Sequence, residues 1–486
     1  MIRIQLSIPQ IFGLALIAGT ISALYAALQS RDLNTDSALY LLGAVRAQGL
    51  AFFEPARKSV QFLQQSFSFI GFQSGVTDLV TLGQLQTLGM QGWPLLLTGL
   101  CWFLLPPAQK GWIVGPLLNI AVIVPTTNFA GIGEGVIASC VMWLLFFLLE
   151  FNPARWSGLF AAAALTLAGF YLHEAAFPFM LGIAVLAALR ARAAHGAKRI
   201  FLVLIALLAI TAACNLVYLT LHRPGASYGP ALLRGLPFIG GLLGEFLVTF
   251  QPRAMGIHLP AVAAITVLTC LLAVHFPRRD TAEQRAHRLR ALARAALVFF
   301  AFVGLVFLAA PAWVITWPSA FAARGWPIIA ATALTITIHL LRRAGWTPDQ
   351  LTPPPIRLVL LAIIPVQFII QTAMTRQWAS YQRDVAALVA SREGIIAWRD
   401  ASDHLDPNQE YFRGALIWHW SIEPLSIVLA PAGRVRAVID ARPEVRWKPF
   451  RPDDLTKLPL CARGLDWSRY LATLGHADID PNTRCP

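Results

Sequence analysis

The chain has 486 residues, 57% of them hydrophobic and 13% charged, with a mean hydropathy of +0.60. Soluble domains run about 45–50% apolar and roughly 25% charged, so this composition excludes an ordinary soluble enzyme and reads as a polytopic membrane protein. The net charge of +14 would suit nucleic acid if it formed one basic face. The cations concentrate instead in short segments between apolar runs, at Lys110, Arg155, Arg190–Arg199, Arg278–Arg294 and Arg342–Arg357, while the tail from Arg376 is nearly balanced. That is the positive-inside pattern, and no nucleic-acid partner is implied.

A membrane-spanning helix takes about 20 apolar residues. The first runs over Ile11–Leu28 with Arg3 inside; no small-residue cleavage site followed by a soluble domain marks it for removal, so it reads as a retained span. The segment Gln29–Leu88 mixes charges with apolar positions and predicts interfacial amphipathic helices, broken near Pro55. Further spans follow at Met90–Leu105, Trp112–Val124, Ile132–Leu149, Ser157–Tyr171, Phe177–Leu189 and Ile200–Leu221. A span within Leu221–His258 would move the basic Arg278–Arg294 loop outside, so that stretch reads as an outer segment with an interfacial or re-entrant helix. Four more spans are expected at Leu259–Phe276, Ala295–Ala310, Trp326–Leu341 and Leu358–Met374.

The expected fold is mainly α: a polytopic helical bundle of about eleven spans, over residues 1–375, with interfacial helices and a small α+β extracytoplasmic C-terminal domain over 376–486. In that tail Gln382–Asp400 has helical spacing. Ser426–Ala430 and Arg434–Ile439 read as strands joined by a Pro431-Ala432-Gly433 hairpin turn. Cys101, Cys140, Cys214 and Cys270 lie in apolar runs, where free Cys behaves as a small hydrophobe. Cys461 and Cys485 lie in the polar tail, and on an oxidising face they would form a disulfide.

Ionisable residues in or near spans are costly and mark functional positions by default. Three acids fall in successive outer segments: Asp36 in Asn34-Thr35-Asp36-Ser37, Glu134 in a Gly-rich turn, and Glu174 beside His173. Each has a plainer reading. Asp36 suits the N-cap of a helix over Ser37–Ala47, Glu134 could be a solvated loop residue, and His173-Glu174 could tie two spans together. Asp32 reads as solvated or paired with Arg31. Four acids lie in the cytosolic segments, Asp280, Glu283, Glu150 and Asp349, and three of them sit in strongly basic or Pro-rich loops, where they look solvated.

A long first outer loop with amphipathic helices and an early Asp, then an acid in the second outer loop, resembles the GT-C glycosyltransferases, integral-membrane enzymes that use polyprenyl-phosphate-linked sugars. The resemblance covers topology over most of the chain: a seven-span module (1–221), variable spans (222–375), then an outer tail. It implies an inverting transfer from a polyprenyl-phosphate sugar to an envelope glycan or lipid acceptor, at the extracytoplasmic face of a bacterial inner membrane. Asp36 would be the base. Glu134, His173 and Glu174 would contact substrate. A lipid-phosphate leaving group needs cations, which Arg suits best; Arg234 and Arg253 flank the interfacial segment and rank first, with Lys58 and His258 beside them and Arg57 among the further outer-face cations. Many members carry a paired acidic motif where this chain has Glu134 alone, so no cofactor is certain and a divalent cation, Mg or Mn, stays open. Two alternatives remain, a transporter or flippase of a lipid-linked saccharide and an O-antigen ligase or polymerase-like enzyme.

Overall fold

The computed structural model describes residues 6–34, 37–47, 49–52, 54–123, 133–222, 318–392, 394–397, 422–430 and 436–439, with isolated positions at 281, 283, 286, 290, 293 and 401. These residues are mainly helical. Among the described residues, five helices are long and apolar enough to cross a membrane: Ile8–Leu28, Glu134–Phe151, Glu174–Ala193, Gly196–Thr220 and Ile356–Ser391. The spans expected at Leu259–Phe276 and Ala295–Ala310 lie outside the described residues. In chain order the helices are α1 (Ile8–Leu28), α2 (Ser37–Arg46), α3 (Lys58–Gln73), α4 (Leu79–Leu104), α5 (Val114–Leu118), α6 (Glu134–Phe151), α7 (Trp156–Ala168), α8 (Phe177–Ala193), α9 (Gly196–Leu221), α10 (Pro318–Arg343), α11 (Pro348–Leu351), α12 (Pro354–Ser391) and α13 (Ile422–Leu429). The chain divides into two compact units, each built from separate stretches.

The first unit comprises Met1–Thr20, Glu54–Val60 and Pro94–Phe368. Its axis is α6, buried at every one of its residues. The helix is apolar all round, which is the pattern of an interior helix rather than an amphipathic surface one. Trp143, Phe146, Phe147 and Phe151 form a chain of edge-on and tilted rings 5.0–6.1 Å apart. Helices α7, α8 and α10 pack around α6, and α9 lies against α7 and α8. The expected span Trp112–Val124 is irregular over its described part: a 3-10 turn (Pro107–Ile113), the short α5, then a π-turn (Asn119–Ile123). Gly115 is needed there, because a Cβ would stand 2.5 Å from the Trp143 ring.

The second unit comprises Ile21–Phe53, Gln61–Trp93 and Ile369–Pro486. Three sequence expectations change in the elements that contribute to it. Helix α4 begins at Leu79, well before the expected span at Met90. The added turns carry Gln84, Gln86 and Thr87, which read as non-spanning. Gln86 and Thr87 face inward and are hydrogen-bonded, with the Gln86 amide donating to the Ser37 carbonyl at 2.7 Å and Thr87 Oγ1 accepting from the Asp32 amide at 3.2 Å. Helix α12 is one element of 38 residues. At 1.5 Å per residue it is about 57 Å long, far more than the roughly 30 Å hydrocarbon core. It takes in both the last expected span and the start of the expected tail helix, so the expected boundary at 375/376 lies inside it.

The expected hairpin is also corrected. Residues 422–429 form helix α13, not a strand, and Gly394–Ala397 (β1), expected as helix, pairs in parallel with Arg436–Ile439 (β2). Parallel strands need a crossover connection rather than a tight turn, and α13 lies in that connection, packed on β2 with Ser426 Oγ accepting from the Val438 amide at 2.9 Å. The apolar run 425–429 did not distinguish strand from helix, which is the usual ambiguity of a short run.

Helix α4 crosses α3 at Gly89, where a Cβ would stand 2.5 Å from the Gln64 carbonyl oxygen. Backbone cannot yield as a side chain can, so Gly89→Ala is expected to destabilise by about 1–3 kcal/mol. Gly99→Ala, where a Cβ meets nothing, is expected to be neutral or slightly stabilising. Thermal melts of the purified protein compare the two.

Candidate functional site

Three charged centres are buried among these helices, two in the first unit and one in the second. The first gathers around Arg57. Pro55 opens a 3-10 turn (Pro55–Arg57) that packs on the turn Gly169–Tyr171. Arg57 Nη1 donates to Glu134 Oε2 at 2.6 Å, Nε donates to Glu174 Oε2 at 2.8 Å, and Nη2 donates to Glu174 Oε1. All three side chains are buried, none more than 6% exposed. Both acids start helical elements, Glu134 in the first turn of α6 and Glu174 in the turn Glu174–Ala176 that leads into α8. Carboxylates are favoured there by the positive end of the helix dipole. Gly133, with φ 67°, makes the left-handed turn into α6, a conformation glycine adopts without strain.

This centre holds one guanidinium against two carboxylates. Burial works against the Arg57 charge, but Glu174 and Glu134 outweigh it and hold the guanidinium well above its usual range. Arg57 thus ties the start of α6 and the turn before α8 to one point through Glu134 and Glu174. His173 is buried, and its Nδ1 accepts from the Ala175 amide at 3.1 Å. A nitrogen that accepts carries no proton, so its 3.5 Å approach to Glu174 Oε2 is not an ion pair. Lys58 follows Arg57 and is exposed, its ammonium 5.6 Å from the Tyr171 ring centroid.

The second centre lies at the opposite end of α6. Glu150 Oε2 accepts from Arg190 Nη2 at 2.7 Å and lies 3.0 Å from His339 Nδ1, while Arg342 Nη1 donates to Oε1. Arg190 and Arg342 belong to the last turns of α8 and α10. Here the helix dipole opposes the acid, and several cations gather where Glu134 meets one.

The third centre belongs to the second unit and precedes Asp36. Ser30 has φ 46°, a costly conformation for a residue with a Cβ. Its carbonyl accepts from the Trp378 indole at 3.2 Å. Arg31 and Asp32 follow in a fully buried 3-10 turn. Arg31 Nη1 donates to Gln371 Oε1 at 2.9 Å and to Thr375 Oγ1 at 3.2 Å, and Gln91 Nε2 donates to Asp32 Oδ2 at 2.6 Å. Burial raises the Asp32 carboxyl above its usual range, against the opposing pull of Arg31 and the Gln91 hydrogen bond. The solvated reading of Asp32 is thus overturned; the pairing with Arg31 is present, at 3.5 Å.

Of the sequence candidates, Glu134, His173 and Glu174 come together. Asp36, Arg234, Arg253 and His258, and Cys461 and Cys485, lie outside the described residues. The helix Asp36 was expected to cap is present as α2. Arg57, which stands behind Arg234 and Arg253 on sequence grounds, follows Pro55 in a short turn between Glu54 and Lys58, and nothing in those neighbours signals its pairing with two distant glutamates. Among the described residues, no group of three or more His, Cys, Asp or Glu side chains is placed to hold a metal ion. No family model, curated protein or solved structure matches this chain.

Arg57→Met strands two buried carboxylates and should cost about 3–5 kcal/mol. Adding Glu134→Gln and Glu174→Gln should recover most of the lost melting temperature, because no charge is then left unpaired. Asp32 gives a pH signature. Its folded value lies above its unfolded one, so its contribution is present at low pH and is lost as pH rises through the raised value. The melting temperature of Asp32→Asn relative to the parent should therefore climb as pH rises above the ordinary aspartate value of about 4. A flat difference would show that the carboxyl stays ionised.

Proposed function

We propose that this chain is an inverting glycosyltransferase of the GT-C type, moving a sugar from a polyprenyl-phosphate donor to an envelope glycan or glycolipid acceptor, with Asp36 as the base. The observation that supports it best is the Arg57 centre. Glu134 and Glu174, from outer segments far apart in sequence, meet the first outer segment at one end of α6. That end is about 24 Å from Glu150 along the helix. The Glu150 end carries Arg190, Arg192, Lys198, Arg342 and Arg343, and by the positive-inside rule it faces the cytosol. The Arg57 centre then faces outward, where a lipid-linked sugar on the outer leaflet would be used, in the inner membrane of a bacterium.

In this reading Glu134, Glu174 and Arg57 are positioning residues that fix the segments around the donor. Lys58 is the exposed cation beside them for the lipid phosphate, and Arg234, Arg253 and His258 belong to the same role. The total of about eleven spans and a small α+β extracytoplasmic domain around α13, β1 and β2 are parts of the same proposal. One observation favours the second reading, a flippase: the interrupted stretch 107–123, since transporters build their sites from broken helices.

The two readings part on Asp36→Asn in purified protein with a polyprenyl-phosphate sugar donor. Loss of a general base should lower transfer by about 100-fold or more with donor binding kept. Unchanged transfer would remove Asp36 as the base, and donor movement across vesicles without transfer would favour the flippase.

A further inference from the structure

Helices α7 and α9 lie side by side in the first unit and share an aromatic ledge. Trp156, Phe160 and Phe201 form a three-ring cluster with centroids 5.1–5.9 Å apart. The ledge is open: Trp156 is 41% and Phe160 59% exposed, and Ile200 beside it is 72% exposed. Its rim is cationic. Lys198 Nζ lies 6.0 Å from the Trp156 ring centroid and donates to the Ala154 carbonyl at 2.7 Å. Arg155 and Arg199, which follow Ala154 and Lys198 in sequence, are both exposed.

No acid offsets this rim from its own elements. From Phe151 to Leu221 the only carboxylate is Glu174, which is engaged by Arg57 at the other end of α6. Glu150, on the packed helix α6, is fully buried and engaged by Arg190 and Arg342. An apolar ledge with a lysine held over its edge and two more cations beside it matches a molecule with hydrocarbon chains and an anionic head. Snorkelling cations and a tryptophan at a helix start are features of a membrane interface.

We propose that Lys198, Arg155 and Arg199, with the Trp156–Phe160–Phe201 ledge, form a binding site for one anionic phospholipid of the cytoplasmic leaflet, its phosphate at the cations and an acyl chain on the rings. Charge complementarity selects an anionic over a zwitterionic head. The site depends on α7 and α9 spanning a membrane with their basic end toward the cytosol. It does not depend on glycosyl transfer, and the Asp36→Asn assay leaves it untouched.

The test is native mass spectrometry of the full chain released from detergent after mixing with equal amounts of dioleoyl phosphatidylglycerol and dioleoyl phosphatidylcholine. The parent should retain phosphatidylglycerol preferentially. Lys198→Gln and Arg199→Gln should each cut the ratio of the two adducts by about fivefold, the effect of one surface cation near an anionic lipid. Arg343→Gln, an exposed cation on α10, should leave the ratio unchanged. The ratio is read within one sample of folded protein, so loss of yield does not imitate loss of the site. Equal retention of both lipids, or an unchanged ratio in the Lys198 and Arg199 variants, would overturn the proposal. Displacement of phosphatidylglycerol by millimolar inorganic phosphate would assign the cations to a free anion and overturn the lipid.

Discussion

A buried helix can carry a charge only where another segment brings the opposite one. Helix α6 is inaccessible along its whole length, and its only ionisable acids are Glu134 and Glu150, one near each end. An unpaired carboxylate at either place would carry a desolvation cost of several kcal/mol. The first unit is arranged around meeting that requirement twice. Arg57 comes from a turn far upstream to meet Glu134, and Arg190 and Arg342 end their helices beside Glu150. The segments that meet at each end are thereby tied to the axis of the unit.

The two ends differ in charge for a physical reason. At the N-terminus of α6 the dipole already favours a carboxylate, and Arg57 has capacity left for Glu174. At the C-terminus the dipole opposes one, and two arginines and a histidine surround Glu150. The result is an anionic centre at one end and a cationic one at the other. In the proposed function that polarity would orient the helix in a membrane, with chemistry at the Arg57 end and lipid anchoring at the basic end.

The second unit meets the same cost with neutral groups. Arg31 and Asp32 are fully buried, but their contacts are mostly amides and hydroxyls: Gln91, Gln371, Thr375 and Thr87. Glutamines on α4 look like breaks in an apolar run when read along the chain. Their inward direction reverses that meaning. The turn that carries Arg31 and Asp32 is held from several sides, and Asp36 lies only a few residues beyond it.

Membrane character, the predominance of helix and most helix starts between Ile8 and Leu221 were legible in the sequence, because they depend on runs of apolar residues and on the punctuation of Pro, Gly and charge. So was the candidacy of Glu134, His173 and Glu174, since an acid beside a span is conspicuous for its cost. The order of residues along the chain therefore fixes which stretches must leave water and which charged residues need a counter-group there. The counter-groups and contacts come from folding: Arg57 serves both glutamates, Asp32 is buried rather than solvated, Gln86 and Thr87 belong inside a helix interface, and residues 422–429 are helix beside a parallel strand pair. The reason is that apolar runs are properties of one segment, whereas the pairing of a buried charge is a property of two segments that only folding brings together.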